Sequence, residues 1–227
     1  MTTFVPDWSA FLPILVAPFA AAGTTLLAAD VTGRYHRIAG DGRDTMPGNA
    51  LFLAPVLSIA AILIAVWTGF AAPASIVWIS CLFGWTLLAL AIIDLRLMIL
   101  PNFLTISLAL AGFIVTLTTD ADRFPDSVIG AAVGYAILAL IRISYRKLRG
   151  RDGLGGGDAK MLGAIGAWVG WQDLSSVVLI AALCGLAIIG VSSLMKGKLD
   201  PQHRLPFGPC LAFGAWVVWL HGGVGVG

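Results

Sequence analysis

Apolar stretches of about 20 residues recur along the chain between short polar segments, and each is long enough to cross a hydrocarbon core of about 30 Å as a helix. This pattern predicts eight spans, at 10–29, 50–69, 75–93, 102–119, 126–143, 158–172, 174–195 and 206–222. The sixth is short, and only Trp171-Gln172-Asp173 separates it from the seventh, so seven spans is the competing count. Ala20, Ala21 and Ala22 resemble a signal-peptide cleavage site, but residues 1–9 hold Asp7 and no Lys or Arg. A secretion signal opens on a basic segment, so the first stretch is expected to be a permanent span. Two polar linkers stand out: 30–49, which is Gly-rich, and 144–157, SYRKLRGRDGLGGG, which is basic and then glycine-rich.

Composition agrees with a membrane solvent. Of 227 residues 59% are hydrophobic and 11% charged, against about 25% charged in soluble domains. The expected fold is therefore all-α, a polytopic membrane helical bundle of about eight transmembrane helices forming a single membrane domain, 1–227. The net charge of +2 says little, but the placement of the basic residues sets orientation. With eight spans, Arg34, Arg37, Arg43, Arg96, Arg142, Arg146, Lys147, Arg149, Arg151, Lys160, Lys196, Lys198 and Arg204 share one side, and Arg123 alone faces the other. That split places the basic loops in the cytoplasm and both termini outside it. Seven spans would put one basic loop on the wrong side. Most of these charges need no role beyond anchoring beside anionic lipid headgroups.

Chemistry has few places to reside. All twelve acidic residues are Asp. Cys81, Cys184 and Cys210 lie in apolar stretches without CxxC spacing, and His36, His203 and His221 are scattered, so no metal site is expected. No HExxH and no serine in a nucleophile elbow is visible. Ionisable groups at membrane depth are costly and are functional candidates. Asp94 closes the third span in LLALAIIDLRLMILPNFLT, and Asp158 opens the sixth in GLGGGDAKMLGAIGAWVGW. The orientation argument puts both at the cytoplasmic boundary. Peptide hydrolysis by two carboxyls needs one ionised to activate water and one protonated to donate to the carbonyl oxygen, and close carboxyls share a proton in that way. No cofactor is needed for such proteolysis.

Each residue also has a plainer reading. Asp94 is an interfacial Asp beside Arg96, and the Gly-rich run with Asp158 is a turn and helix N-cap. Gly155, Gly156 and Gly157 permit close approach of another backbone, as when an extended substrate adds as a strand. Lys160 is open between a lipid anchor, a phosphate-seeking cation and a partner for Asp158. GGGDAK lacks the GxxxxGK[ST] pattern, so nucleotide binding is not expected. Pro101 is expected to start the fourth helix.

Three blocks carry a family resemblance: DLRLMILPNFLT at 94–105, GGGDAKMLGAIGAWVG at 155–170, and LPFGP at 205–209. In this order, with both aspartates on one membrane side, they resemble the type IV prepilin peptidase family, membrane proteases of the GxGD class, over roughly residues 75–220. Presenilin-like GxGD proteases are the nearest rival, but their Pro-Ala-Leu block is not visible. The resemblance implies Asp94 and Asp158 as the catalytic pair. It places Gly155, Gly156, Gly157, Lys160, Pro206, Phe207, Gly208 and Pro209 at the substrate.

It further implies a peptidase core at 74–227 behind a two-span region at 1–73. The expected partner is a prepilin or pseudopilin with a short basic leader, a glycine at the cleavage site and an apolar helix after it. The setting is the bacterial inner membrane, with lipid and no nucleic acid as a partner. Longer family members add an N-methyltransferase and a cysteine-rich, zinc-binding loop after the first span. Here the loop Asp30 to Asn49 has no cysteine, so S-adenosylmethionine enters only if that activity is retained, and weak or no methylation is expected. A proton-coupled transporter, with the aspartates lining an ion path, and a noncatalytic subunit of a secretion machine are the competing functions.

Overall fold

The structure is a computed structural model that describes residues 12–39, 47–150, 155–196 and 206–222. Residues 1–9, Arg43, Arg151, Lys198, His203, Arg204 and Leu205 lie outside the described residues. The described residues form α1 (Leu12–Ala39), α2 (Pro47–Ala71), α3 (Val77–Leu97), α4 (Asn102–Thr119), α5 (Phe124–Arg149), α6 (Gly156–Lys196) and α7 (Gly208–Gly222). They contain no strand. Four stretches among them are long and apolar enough to cross a membrane: Ala74–Leu97, Asn102–Thr119, Ala121–Leu148 and Gly156–Met195. The polytopic all-α bundle expected from the sequence is thus the observed architecture.

Both linker expectations need correcting. α1 continues to Ala39 and α5 to Arg149, well into segments read as loops. Hydropathy marks where a helix leaves lipid, not where it ends, and Lys, Arg and Leu in YRKLR are good helix formers. What stops α5 is Gly150, in the left-handed region at φ 67, its N–H on the Arg146 carbonyl at 2.9 Å.

The chain divides into two compact units, Met1–Ala89 and Leu90–Gly227, so the division falls inside α3. In the first, α1 packs on α2, and the Trp85 indole donates to the Ala61 carbonyl at 3.2 Å, tying the middle of α3 to α2.

In the second unit, α5 and the first half of α6 meet through glycine. A methyl on Gly134 would stand 2.7 Å from the Leu162 carbonyl oxygen, and one on Gly163 3.1 Å from that of Ala131. Methyls on Gly130 and Gly166 would each collide with the other's backbone. Small residues let helix backbones approach closely where lipid removes the hydrophobic drive. A Gly166→Val chain should therefore lose about 3 kcal/mol or more by forced separation of two backbones. The readout is its thermal midpoint in detergent, with Gly190→Val, which meets nothing within 4 Å, as the neutral control.

Gly170 splits α6: its φ 77 and ψ 175 are not helical and are open only to glycine. Asp126 in the first turn of α5 accepts from the Trp171 indole at 2.9 Å and is hydrogen-bonded to Gln172, which fixes the break. The halves run in opposite directions. From Lys160, bonded to Asn102, the first half climbs to Trp168, whose indole donates to the Leu108 carbonyl at 2.7 Å and packs edge-on against Trp219 at 5.3 Å. The second half returns along α7, from Asp173 beside Gly222 to Gly185 beside Cys210. Divided at Gly170, α6 gives two helical segments, and the break falls at Gly170 where the sequence pattern placed it at 171–173.

Candidate active site

Asp94 sits in the last turn of α3, and the turn is closed tightly. Its carbonyl accepts the Met98 N–H at 2.8 Å, with Met98 in the left-handed region at φ 53. A non-glycine residue held there costs about 1 kcal/mol or more. The sharp exit leads through Leu100, which is buried, to Pro101, whose φ of −63 and ψ of 130 start α4.

The carboxyl of Asp94 meets the beginning of α7. Gly208 is the first residue of that helix, and its N–H donates to Asp94 Oδ2 at 3.0 Å. The amides at a helix start have no partner within the helix, and Asp94 satisfies this one. The approach requires glycine: a methyl on Gly208 would stand 2.6 Å from Asp94 Oδ2 and 3.0 Å from its Cγ.

Asp158 is the third residue of α6, and its carboxyl reaches back to the Gly155 N–H just before the helix. That is the return half of a capping box; the residue is not the N-cap itself, as the plainer reading had it. Gly157 has a separate job, because a methyl there would stand 2.9 Å from Leu100 Cβ. The missing side chain lets the start of α6 lie against the α3–α4 connection, which carries Asp158 to Asp94. The two carboxyls fall within electrostatic reach of one another. Both are nearly enclosed, Asp94 at 5% and Asp158 at 6% exposure.

The three glycines are therefore not equivalent. Gly155 supplies an amide to Asp158, and Gly157 makes room for Leu100. A methyl on Gly156 would press on Arg142 Nη1 at 2.6 Å, the movable end of a long side chain. Lys160 does not reach for Asp158. It is exposed and donates to Asn102 Oδ1 at 2.7 Å, joining α6 to the start of α4. Pro206 and Phe207 line an apolar cavity beside the second half of α6, and Pro209 is the second residue of α7, a position that suits its missing N–H. Leu100, Asn102 and Arg142 are contacts that the sequence reading did not assign. Of these, Leu100 and Asn102 left a signal, as members of the 94–105 block, and Arg142 left none.

Two buried carboxyls, each accepting a backbone amide and close enough to feel each other, form a site suited to proton transfer around one water. Among the described residues no group of three His, Cys or acidic side chains is placed to hold a metal ion.

Residues 81–190 match the model of the Type IV leader peptidase family. The chain is similar to proteins named prepilin leader peptidase/N-methyltransferase. That of Aeromonas salmonicida (strain A449) is 40% identical over 141 residues, 62% of this chain and 48% of the relative. That of Burkholderia pseudomallei (strain 1026b) is 44% identical over 128 residues, 56% of this chain and 41% of the relative. That of Xanthomonas campestris pv. campestris is 35% identical over 156 residues, 69% and 51% respectively. The chain thus spans about half the length of the curated relatives it matches. No solved structure matches it.

Proposed function

We propose that the chain, whose residues 81–190 match the model of the Type IV leader peptidase family, is a member of that family and a membrane aspartic endopeptidase. Its reaction is removal of the leader peptide of type IV prepilins or pseudopilins at the cytoplasmic membrane face. The observation that carries this reading is the buried pairing of Asp94 and Asp158, each held by a backbone amide, at one end of the helices of the second unit. The ionised carboxyl takes a proton from water as the oxygen attacks the scissile carbonyl, and the protonated one gives its proton to the carbonyl oxygen. Collapse of the resulting diol with proton return to the amine nitrogen breaks the C–N bond and restores the shared proton. Burial excludes competing water and strengthens each interaction in the site.

The two carboxyls relay every proton this cycle moves, one shared between them and one from the attacking water, so this proposed proteolysis invokes no cofactor. The purified chain in detergent should cleave a prepilin after the leader glycine, with the rate within about twofold of itself after chelator treatment, since no Lewis acid is invoked. A chain that binds prepilin and leaves it intact, or one silenced by chelator and restored by zinc, overturns the assignment. The N-methyltransferase in the relatives' names is a separate matter. The 30–49 segment carries no cysteine, and weak or no methyl transfer from S-adenosylmethionine is expected in the same assay.

The charges support a location. The reading is a multi-pass protein of the bacterial inner membrane with both termini outside the cytoplasm, serving type IV pilus or type II secretion substrates. The active end carries Lys160 and Arg142, while Arg123 stands near Asp126 at the other end. That polarity matches basic-inside orientation. A single cysteine introduced within 144–157 should react with an impermeant maleimide only in inverted vesicles. Labelling in intact cells would reverse the orientation.

A further inference from the structure

Between the second half of α6 and the start of α7 lies an open cavity of about 260 Å³, lined by residues that include Gly185, Leu186, Ile189, Pro206, Phe207 and Cys210. Every lining side chain is apolar or a thiol. A cavity of about 150 Å³ already admits benzene, so this one has room for one or two bulky apolar side chains. Its wall is continuous with the carboxyl pair: Phe207 lines it, and the next residue, Gly208, donates its N–H to Asp94 Oδ2 at 3.0 Å. The groove and the Asp94 carboxyl are thus joined through two consecutive residues, Phe207 and Gly208.

We propose that the groove is the docking site for the apolar segment of the substrate on the carboxyl side of the scissile bond, a deepening that rests on the peptidase reading. The groove offers no side chain that would replace the hydration of a basic leader, and burying unpaired polar groups is costly. The leader must then leave the carboxyl pair on the other side, toward the basic end of α5 and Lys160. The groove thus sets the direction in which the substrate lies across Asp94 and Asp158. A lipid acyl chain is the competing occupant, and lipid has no reason to depend on the Phe207–Gly208 link to the carboxyl.

Gly185 gives the test. A methyl there would stand 3.9 Å from both Cys210 Sγ and Phe207 Cε2, an ordinary contact, so a longer side chain grows into the groove without forcing the helices apart. The probe is a synthetic prepilin segment with a basic leader, the glycine and an apolar helix of about 20 residues. Binding is measured in nanodiscs on an Asp158→Asn background, so that nothing is consumed. Gly185→Leu should weaken binding about tenfold or more, the scale of a blocked apolar subsite. Gly190→Leu, with nothing within 4 Å of its Cα substituent, should bind like its parent. With the other two cysteines replaced by Ser and a copper–phenanthroline oxidant added, a cysteine placed in the apolar part of the probe should form a disulfide with Cys210, and a cysteine in the leader should not.

Unchanged affinity in Gly185→Leu, failure of the probe to bind the parent, crosslinking of the leader cysteine, or acyl lipid that the probe does not displace would each overturn the proposal. If the groove binds the probe as described but the chain with both aspartates intact does not cleave it, the docking site stands and the peptidase reading falls.

Discussion

Asp94→Asn and Asp158→Asn should each abolish prepilin cleavage, with losses of at least about 10³-fold, while the chain still inserts and purifies as an assembled protein. Asn keeps the size of Asp and most of its hydrogen bonding. At position 94 the amide oxygen still accepts the Gly208 N–H, and at position 158 it still accepts that of Gly155. What is lost is proton exchange with water. Residues that act as one unit are grossly non-additive, so the double variant should be hardly slower than either single one. Losses that multiply would mean independent roles, and substantial turnover by a correctly inserted Asp158→Asn chain would sink the dyad. Asp173→Asn is the control: Asp173 lies just past the break in α6 and against Gly222 at the end of α7, away from the carboxyl pair. Its cleavage rate should stay within about twofold of the parent, the range of a surface change.

The sequence exposes the proposed catalytic pair and hides most of what positions it, for a physical reason. Asp94 and Asp158 stand out because a carboxyl at the edge of an apolar stretch is expensive, and the stretches themselves announce the helices. Gly157 and Gly208 act by what they lack, a Cβ, and nothing in one sequence says which atom would have filled that space. In the structure it is Leu100 for one and Asp94 for the other. The same holds for Gly130, Gly134, Gly163 and Gly166, ordinary members of apolar runs until α5 and α6 are laid side by side. Lys160 shows the converse. Its charge invites pairing with nearby Asp158, yet it bonds Asn102, because the helix start directs Asp158 backward and Lys160 outward. The ends of α1 and α5 are misjudged from hydropathy because lipid and helix stop at different places.

Gly208→Ala should lower kcat about 10²-fold, the scale of a displacement of about 1 Å in the proposed reacting groups. The added carbon would lie 2.6 Å from Asp94 Oδ2, with Cγ and Cβ of the same residue at 3.0 and 3.2 Å, so rotating the carboxyl away does not clear the space. Either α7 backs off and takes its amide with it, or Asp94 leaves its place beside Asp158. Both routes misplace a reacting group without closing the apolar groove, so KM for a prepilin should change by less than about threefold while kcat falls. A merely structural role predicts another pattern: reduced yield of folded chain, with normal turnover in what survives. Gly185→Ala separates the two, because it adds the same methyl to the same α6–α7 neighbourhood at an ordinary 3.9 Å from Cys210 and Phe207. Equal turnover numbers for folded Gly208→Ala and Gly185→Ala would show that the Gly208 amide does not position Asp94.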